Sequence, residues 1–195
     1  KKDKVVGIFG VPESGILDTL MVIDVEREVP TFLPTQNDTP LGDVEPQVLE
    51  RVLQIATDLA REGREGRPVG TTFVLGDSER VQALAQQLVI NPFRGYRDEE
   101  RSILDPSLEE TIKEFSTIDG AFIVRGDGVV LSAGAYLRTE KEVDGLPSGL
   151  GARHTAAGAV TAQTDTLAVV LSQSTGRVSL FKGGRMILSL EPPKP

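Results

Sequence analysis

The segment from Ser148 to Thr155 combines glycines with side chains that suit phosphate binding. It runs Ser-Gly-Leu-Gly-Ala-Arg-His-Thr and leads into a helix predicted over residues 153 to 162. Glycines let backbone N–H groups approach an anion closely, and a helix N-terminus adds positive potential. Arg153 can bind two phosphate oxygens at once, and Thr155 can donate a hydroxyl. The same spacing also suits an ordinary turn.

A carboxylate stands where a predicted helix passes into a predicted core strand. Asp119 begins the sequence Asp-Gly-Ala, and at such a junction it can hold a divalent cation or orient a hydroxyl nucleophile. Asp-Gly is also common turn chemistry and recurs at Asp127 and Asp144. His154 is the only histidine of the chain, which excludes a multi-histidine zinc site. It suits a structural role as well as a place in the phosphate loop.

A hydroxyl-rich turn follows a predicted strand near the C-terminus. Ser172 begins the sequence Ser-Gln-Ser-Thr-Gly, and hydroxyls at a strand end can bind phosphate, although such a turn needs no function. The chain contains no G-x-x-x-x-G-K-[ST] segment and no G-x-S-x-G segment. P-loop and α/β-hydrolase chemistry are therefore unsupported.

Composition narrows the classes of partner. The 195 residues suit one compact domain, with or without a short accessory segment. The formal net charge is -8, which argues against binding DNA or RNA but not against a small phosphorylated ligand. Without cysteines there are no disulfides, and no apolar run approaches the length of a membrane span. We therefore expect a cytoplasmic protein without a membrane segment.

The helical pattern is clearest over residues 44 to 62. Asp43 is its predicted cap and Pro46 falls in its first turn, ahead of an apolar stripe that ends before Gly63. The stripe consists of Val48, Val52, Ile55, Ala56 and Leu59. A second helix is predicted through Val81, Leu84, Ala85 and Leu88 up to Asn91, and a third from Asp105 onward with Leu108, Ile112 and Phe115 inward.

Strands are predicted at both ends of the chain and around a hairpin. Residues 1 to 43 form an N-terminal accessory segment with two strands, Val5 to Phe9 and Leu20 to Val25, and a proline-containing loop. Within the main domain, residues 44 to 195, the predicted strands are 71 to 75, 121 to 124, 129 to 132, 167 to 171, 178 to 181 and 186 to 190. Gly126 to Gly128 predicts the hairpin turn. The order indicates an α/β fold with a mixed β-sheet flanked by helices.

The order of the motifs resembles the diadenylate cyclase (DAC, DisA_N-like) domain family. Asp119-Gly120-Ala121 comes first, then a hairpin ending in Ser-Ala-Gly-Ala-Tyr-Leu at Leu137, then Gly151-Ala152-Arg153-His154-Thr155. The strand that enters the turn at Ser172 continues the match, which covers roughly residues 45 to 190. Each motif alone is weak, whereas this order with this hairpin is specific.

Two positions depart from the family pattern. The family usually has Arg-His-Arg, and the third position here is Thr155, which brings no charge. The turn after the strand is usually Ser-Glu-Glu, and here it is Ser172-Gln173-Ser174. The Arg-His-Thr form and the N-terminal α/β segment are similar to archaeal members of the family.

The resemblance implies an enzyme that condenses two ATP molecules into cyclic di-AMP and releases two pyrophosphates. It implies Asp119, Arg153 and His154 as catalytic residues, with Asp119 acting beside Mg²⁺ or Mn²⁺. It implies contacts to ATP from Gly120, Ala121, Leu137, Gly151, Ala152, Arg153, His154, Thr155 and Ser172. Two protomers would face each other in a homodimer or a higher even oligomer, since each 3′-hydroxyl attacks the partner's α-phosphate.

Two other functions compete with this interpretation. The departures at Thr155 and Gln173 are compatible with a sensor domain that kept the nucleotide pocket and lost turnover. A structural assembly domain without nucleotide is the other alternative. Formation of the product from ATP and metal separates the first from an enzyme, and thermal stabilisation by ATP excludes the second.

Overall fold

The computed structural model describes residues 4–9, 19–24, 41–138 and 149–191. The chain divides into two compact units, residues 1–40 and 41–195. The first unit contains an antiparallel pair of strands, β1 (Lys4–Phe9) and β2 (Thr19–Asp24), with Lys4 opposite Asp24. These are the two strands predicted for the segment. The predicted proline-containing loop after them lies outside the described residues.

The second unit is built on a seven-stranded mixed sheet in the order β4-β6-β5-β3-β7-β8-β9. Only β3 and β5 run parallel to each other, and every other neighbouring pair in the sheet is antiparallel. The strands are β3 (Thr71–Leu75), β4 (Ala85–Gln87), β5 (Ala121–Val124), β6 (Val130–Leu137), β7 (Leu167–Leu171), β8 (Val178–Lys182) and β9 (Arg185–Leu190). The predicted mixed-sheet α/β class is confirmed.

Helix α1 (Pro46–Glu62) forms where the apolar stripe predicted it. Its predicted apolar stripe is buried throughout, Pro46 occupies its first turn, and the chain leaves the helix at Gly63 with φ of 62°. The predicted cap was wrong. Glu45 precedes the helix, while the carboxylate of Asp43 accepts a hydrogen bond from the Asp77 N–H at 3.1 Å.

The second predicted helix is shorter than expected. Helix α2 (Ser78–Leu84) ends at Leu84, and Ala85 begins the edge strand β4 instead of continuing the helix toward Leu88. Pairing with β6 overrides the helical pattern, since the Leu84 carbonyl accepts a hydrogen bond from the Arg138 N–H at 2.7 Å. The apolar side chain of Leu88 is consequently 47% exposed.

The third helix begins as predicted. Asp105 accepts a hydrogen bond from the Ser107 N–H at 2.8 Å and caps a short 3₁₀ turn, Pro106–Leu108. Helix α3 (Glu109–Phe115) follows, with Ile112 buried. Helix α4 (Ala152–Gln163) lies after the glycine-rich loop, close to its predicted range.

The sheet is covered on both faces. Strands β3, β5 and β7 are buried along their whole length, as expected for strands between two layers of helices. Helix α4 packs Ala157 and Val160 into one cluster with Val74 and Ile123. The neighbouring side chains Phe73 and Phe122, on the other face, stack with ring centroids 4.9 Å apart.

Candidate functional site

The topology gathers the predicted site residues at one edge of the sheet. Because β3 and β5 are parallel, their first residues lie side by side, with Thr72 opposite Ala121. Strands β6 and β7 run the other way, so their last residues reach the same edge, with Ala135 opposite Ala121 and Leu171 opposite Thr71. The N-terminus of α4 also lies at this edge, since Arg153 reaches Asp119.

Two cavities open at this edge, which we call the polar groove and the side pocket. The polar groove has a volume of about 1030 Å³, and the side pocket about 130 Å³. They share Asp119, Ala152 and Arg153. The groove is also lined by Gly149 to Gly151, His154, Leu171 to Thr175, Arg177, Ser179, Met186, Ser189 and Glu191, and the pocket by Thr72, Leu88, Gly120, Ala121, Ala135, Tyr136, Leu137 and Ala156.

Asp119 and Arg153 meet where the two cavities join. One Arg153 terminal nitrogen lies 3.6 Å from Oδ1 of Asp119. The carboxylate is 85% exposed, whereas the Arg153 side chain is 34% exposed and its Nε is buried without a hydrogen-bond partner among the described residues. An exposed carboxylate beside a partly buried cation leaves both groups available to a ligand in the cavities.

Gly120 is where the backbone itself shapes the side pocket. Its φ is +104°, which favours glycine. A Cβ at this position would lie 2.6 Å from the carbonyl carbon of Gly134. The strands β5 and β6 therefore approach closely here, and Ala121 and Leu137 on them form buried walls of the pocket.

His154 is buried beneath the groove. Its ring packs edge-on against Phe181 with centroids 6.1 Å apart, and the residue is 7% exposed. Burial lowers the pKa of His154, and the nearby charge of Arg153 lowers it further. The imidazole is therefore neutral at pH 7. It can donate one hydrogen bond and accept another, but it supplies no positive charge.

The predicted residue Thr155 lies apart from the others. It is exposed on α4, its hydroxyl is 3.5 Å from the Gly151 carbonyl, and it lines neither the groove nor the side pocket. Two positions along a helix turn a side chain by about 200°, so Thr155 points away from the direction of Arg153. Every other predicted site residue lines one of the two cavities, and Ser148 of the predicted loop lies outside the described residues.

Several lining residues were not singled out from the sequence. Leu88 and Tyr136 face the side pocket, although they are 47% and 55% exposed. Arg177 lies directly after the hydroxyl-rich turn. Polar residues alternate at Arg177 and Ser179, and this strand pattern could have identified Arg177 as a lining residue. Gly70 lines neither cavity and has no sequence signal, yet a Cβ there would lie 3.1 Å from Nη1 of Arg153.

The arrangement suits a nucleotide whose base and phosphates occupy different cavities. The side pocket combines apolar walls with the narrow strand contact at Gly120, which suits a flat base. The polar groove offers hydroxyls, Arg153 and the uncapped start of α4, which suit phosphates. In the described part of the chain, no cluster of three acidic, histidine or cysteine side chains could hold a metal ion by itself.

Comparison with known proteins decides the family. The family model DAC, described as "DisA bacterial checkpoint controller nucleotide-binding", matches residues 58–186. The chain belongs to the DAC family. The matched range contains every predicted site residue from Asp119 to Ser172.

Two curated DAC relatives match almost the whole chain. A diadenylate cyclase of Methanocaldococcus jannaschii is 40% identical over 193 residues, which are 98% of this chain and 61% of that protein. A diadenylate cyclase of Haloferax volcanii is 38% identical over 190 residues, 96% of this chain and 66% of that protein. The chain thus spans about three fifths to two thirds of the length of these relatives.

A solved structure shares the DAC fold seen here. A protein from Bacillus cereus, described as a hypothetical membrane spanning protein, superposes with a TM-score of 0.53 at 21% identity. The superposition covers 70% of this chain and 60% of that one. In this chain, the described residues include no helix with the length and apolarity to cross a membrane.

Proposed function

We propose that this chain is a diadenylate cyclase domain that condenses two ATP molecules into cyclic di-AMP. The observation that carries the proposal is the meeting of Asp119 with Arg153 at the junction of the two cavities. A nucleoside in the side pocket and phosphates in the polar groove would place the ribose and α-phosphate at this junction. The names of the two archaeal relatives support the reaction.

The chain's own residues account for binding and orientation. Gly120, Ala121 and Leu137 enclose the nucleoside, and Gly151, Ala152, His154 and Ser172 border the phosphates with Arg153. The Arg153 guanidinium, with its unpartnered Nε, holds phosphate oxygens by charge-assisted hydrogen bonds. Thr155 lines neither cavity, and we assign it no direct contact with the nucleotide.

The reaction forms two phosphodiester bonds. In each, a 3′-oxygen attacks the α-phosphorus of the other ATP, the bond from that phosphorus to the pyrophosphate oxygen breaks, and the hydroxyl proton is lost. Asp119 orients the hydroxyl and can accept its proton, since the carboxylate is open to the cavity. Alignment and charge neutralisation supply most of the catalysis in such transfers.

A divalent cation fits the donor set at Asp119. Mg²⁺ is commonly bound by one or two carboxylates together with substrate phosphates and waters, so a single exposed carboxylate at the phosphate groove suffices. When bound there, Mg²⁺ or Mn²⁺ would neutralise charge on the phosphate chain. A site that needs the substrate's oxygens is consistent with the lack of a preformed acidic cluster in the described residues.

The catalytic unit is a face-to-face pair of protomers, with residues 44 to 195 as the cyclase domain and residues 1 to 43 as an accessory segment. The described chain offers one Asp119–Arg153 junction, so one protomer holds one ATP and half of the reaction centre. A two-fold pair lets each protomer supply both a nucleophile and an α-phosphate.

Chromatography of the products tests the proposed function directly. Incubation with ATP and either Mg²⁺ or Mn²⁺ should yield cyclic di-AMP and two equivalents of pyrophosphate. Binding of ATP without product under both metals would favour the sensor domain. Absence of both binding and product would favour a structural assembly domain.

A further inference from the structure

The end of β7, the start of β8 and the end of β9 carry a row of polar side chains that lines the polar groove. The Ser172 N–H donates to the Arg177 carbonyl at 2.9 Å, so these two residues lie opposite each other at the base of the β7–β8 hairpin. Ser179 lies opposite Ser189 on β9, and Glu191 follows two residues later. Opposite and alternate residues share a face, which explains why all five line the groove.

Arg177 is the second arginine of this lining. Among the described residues that line the groove, only Arg153 and Arg177 carry a lasting positive charge, since burial keeps His154 neutral. Arg177 donates from Nε to Oε2 of Glu191 at 3.2 Å, and its Nη2 contacts the other oxygen. The Arg177 and Glu191 side chains are 50% and 68% exposed, so water screens the pair and a phosphate can displace Glu191 at low cost.

Arg153 alone does not balance the negative charge of a bound triphosphate, so a second positively charged side chain is needed. A triphosphate carries several negative charges, whereas the chain has a net charge of -8. Arg153 lies beside Asp119, and Thr155 is neutral and faces away from the groove. Positively charged groups within the groove itself must therefore supply the positive potential that attracts the phosphates.

We infer that Arg177 binds the phosphates of the nucleotide beyond the α-phosphate, exchanging its ion pair with Glu191 for them. The inference rests on the proposed function, because it deepens the description of that site. Arg177 lines the polar groove but not the side pocket, so it lies on the phosphate side of the Asp119–Arg153 junction. It makes the site selective for nucleoside triphosphates over monophosphates.

Affinity for two unreactive ligands tests this selectivity. Isothermal titration with Mg²⁺ would compare 3′-deoxy-ATP, which lacks the attacking hydroxyl, with 3′-deoxy-AMP. Arg177→Ala should weaken the triphosphate about tenfold, the scale of a lost charge-assisted contact, and leave the monophosphate within about twofold. Arg185→Ala is the matched control, because Arg185 is exposed at the other end of the β8–β9 hairpin and should change neither affinity.

The possible outcomes separate this inference from the proposed function. Wild-type protein that binds neither ligand would overturn both. Wild-type protein that binds the triphosphate, with Arg177→Ala equal to wild type or weakened equally for both ligands, would overturn only the role of Arg177. Thermal unfolding of each variant would identify a loss of binding that comes from misfolding.

A second substitution tests the exchange itself. Glu191→Gln frees Arg177 and should tighten triphosphate binding more in the wild-type background than in Arg177→Ala. An equal gain in both backgrounds would mean that Glu191 acts only by general repulsion, and the exchange would be rejected.

Discussion

Gly70 lies directly against the guanidinium of Arg153. A Cβ at position 70 would lie 3.1 Å from Nη1 of Arg153 and 2.8 Å from Cβ of Gln173. Gly70 precedes β3, and Gln173 belongs to the turn after β7. One glycine thus separates the main cation of the groove from the turn that carries Ser172.

Gly70→Ala should weaken ATP binding, because the added Cβ would press on the Gln173 turn, its closest contact, and would also crowd Arg153. Loss of a hydrogen bond to a charged group costs about 1.5–3 kcal/mol, so the affinity should fall about tenfold or more, as it should in Arg153→Ala. Isothermal titration would measure both variants and their combination. If the glycine acts through Arg153, the double variant should bind no more weakly than Arg153→Ala, and fully additive losses would contradict this relationship.

Asp119→Asn should abolish formation of cyclic di-AMP while ATP affinity is largely kept. The amide cannot take the proton of the 3′-hydroxyl and holds a cation poorly, yet it frees Arg153 from its acidic neighbour. Because Asp119 is 85% exposed, the free energy of unfolding should change by less than about 0.5 kcal/mol. Product chromatography and urea unfolding would be measured together, and turnover at the wild-type rate would exclude this role for the carboxylate.

The single histidine makes stability depend on pH in a defined direction. Burial, and then the charge of Arg153, place the pKa of folded His154 below the ordinary value of about 6.5. As pH falls through about 6.5, the unfolded chain takes up a proton before the folded chain does, so His154 makes the protein less stable. The stability that comes from keeping His154 neutral is fully present above about pH 6.5. It is lost progressively as the pH falls toward the lower pKa of the folded state.

His154→Gln removes this titration and is the natural comparison. Free energies of unfolding measured in urea at pH 7.5 and pH 5.5 should fall more steeply for the wild type than for the variant. The chain has no other histidine to confuse the difference. Parallel pH dependences would show that His154 is not held neutral by the fold.

Activity should depend on association between protomers. If each protomer holds one ATP, the rate per protomer should fall as the protein is diluted through the dissociation constant of the pair. Below that concentration, at saturating ATP, the total rate should approach the square of the protein concentration. Sedimentation with ATP and metal would monitor the association, and a stable monomer that makes the cyclic product would refute the two-protomer mechanism.

The features that rest on local spacing followed from the sequence. The stripe of α1, the cap at Asp105 and the hairpin around Gly126 each depend on residues within one or two turns of chain. The same holds for the glycine-rich start of α4, because glycines before a helix act through their own backbone conformation and do not depend on distant contacts. The Asp-Gly-Ala motif at Asp119, the hairpin after it and the Arg-His pair at Arg153, in this order along the chain, were enough to indicate the family.

Tertiary structure decided which of these residues face one another. Ala85 became an edge strand because β6 offered a partner, which no helical pattern could register. Thr155 was grouped with Arg153 by its position in the sequence, yet the rotation of the helix carried it away from the groove. Arg177 lines the groove because the strand register places it opposite Ser172. Local spacing fixes the conformation of a segment where no distant strand competes for it, as in α1, whereas the pairing of distant segments decides which residues share a cavity.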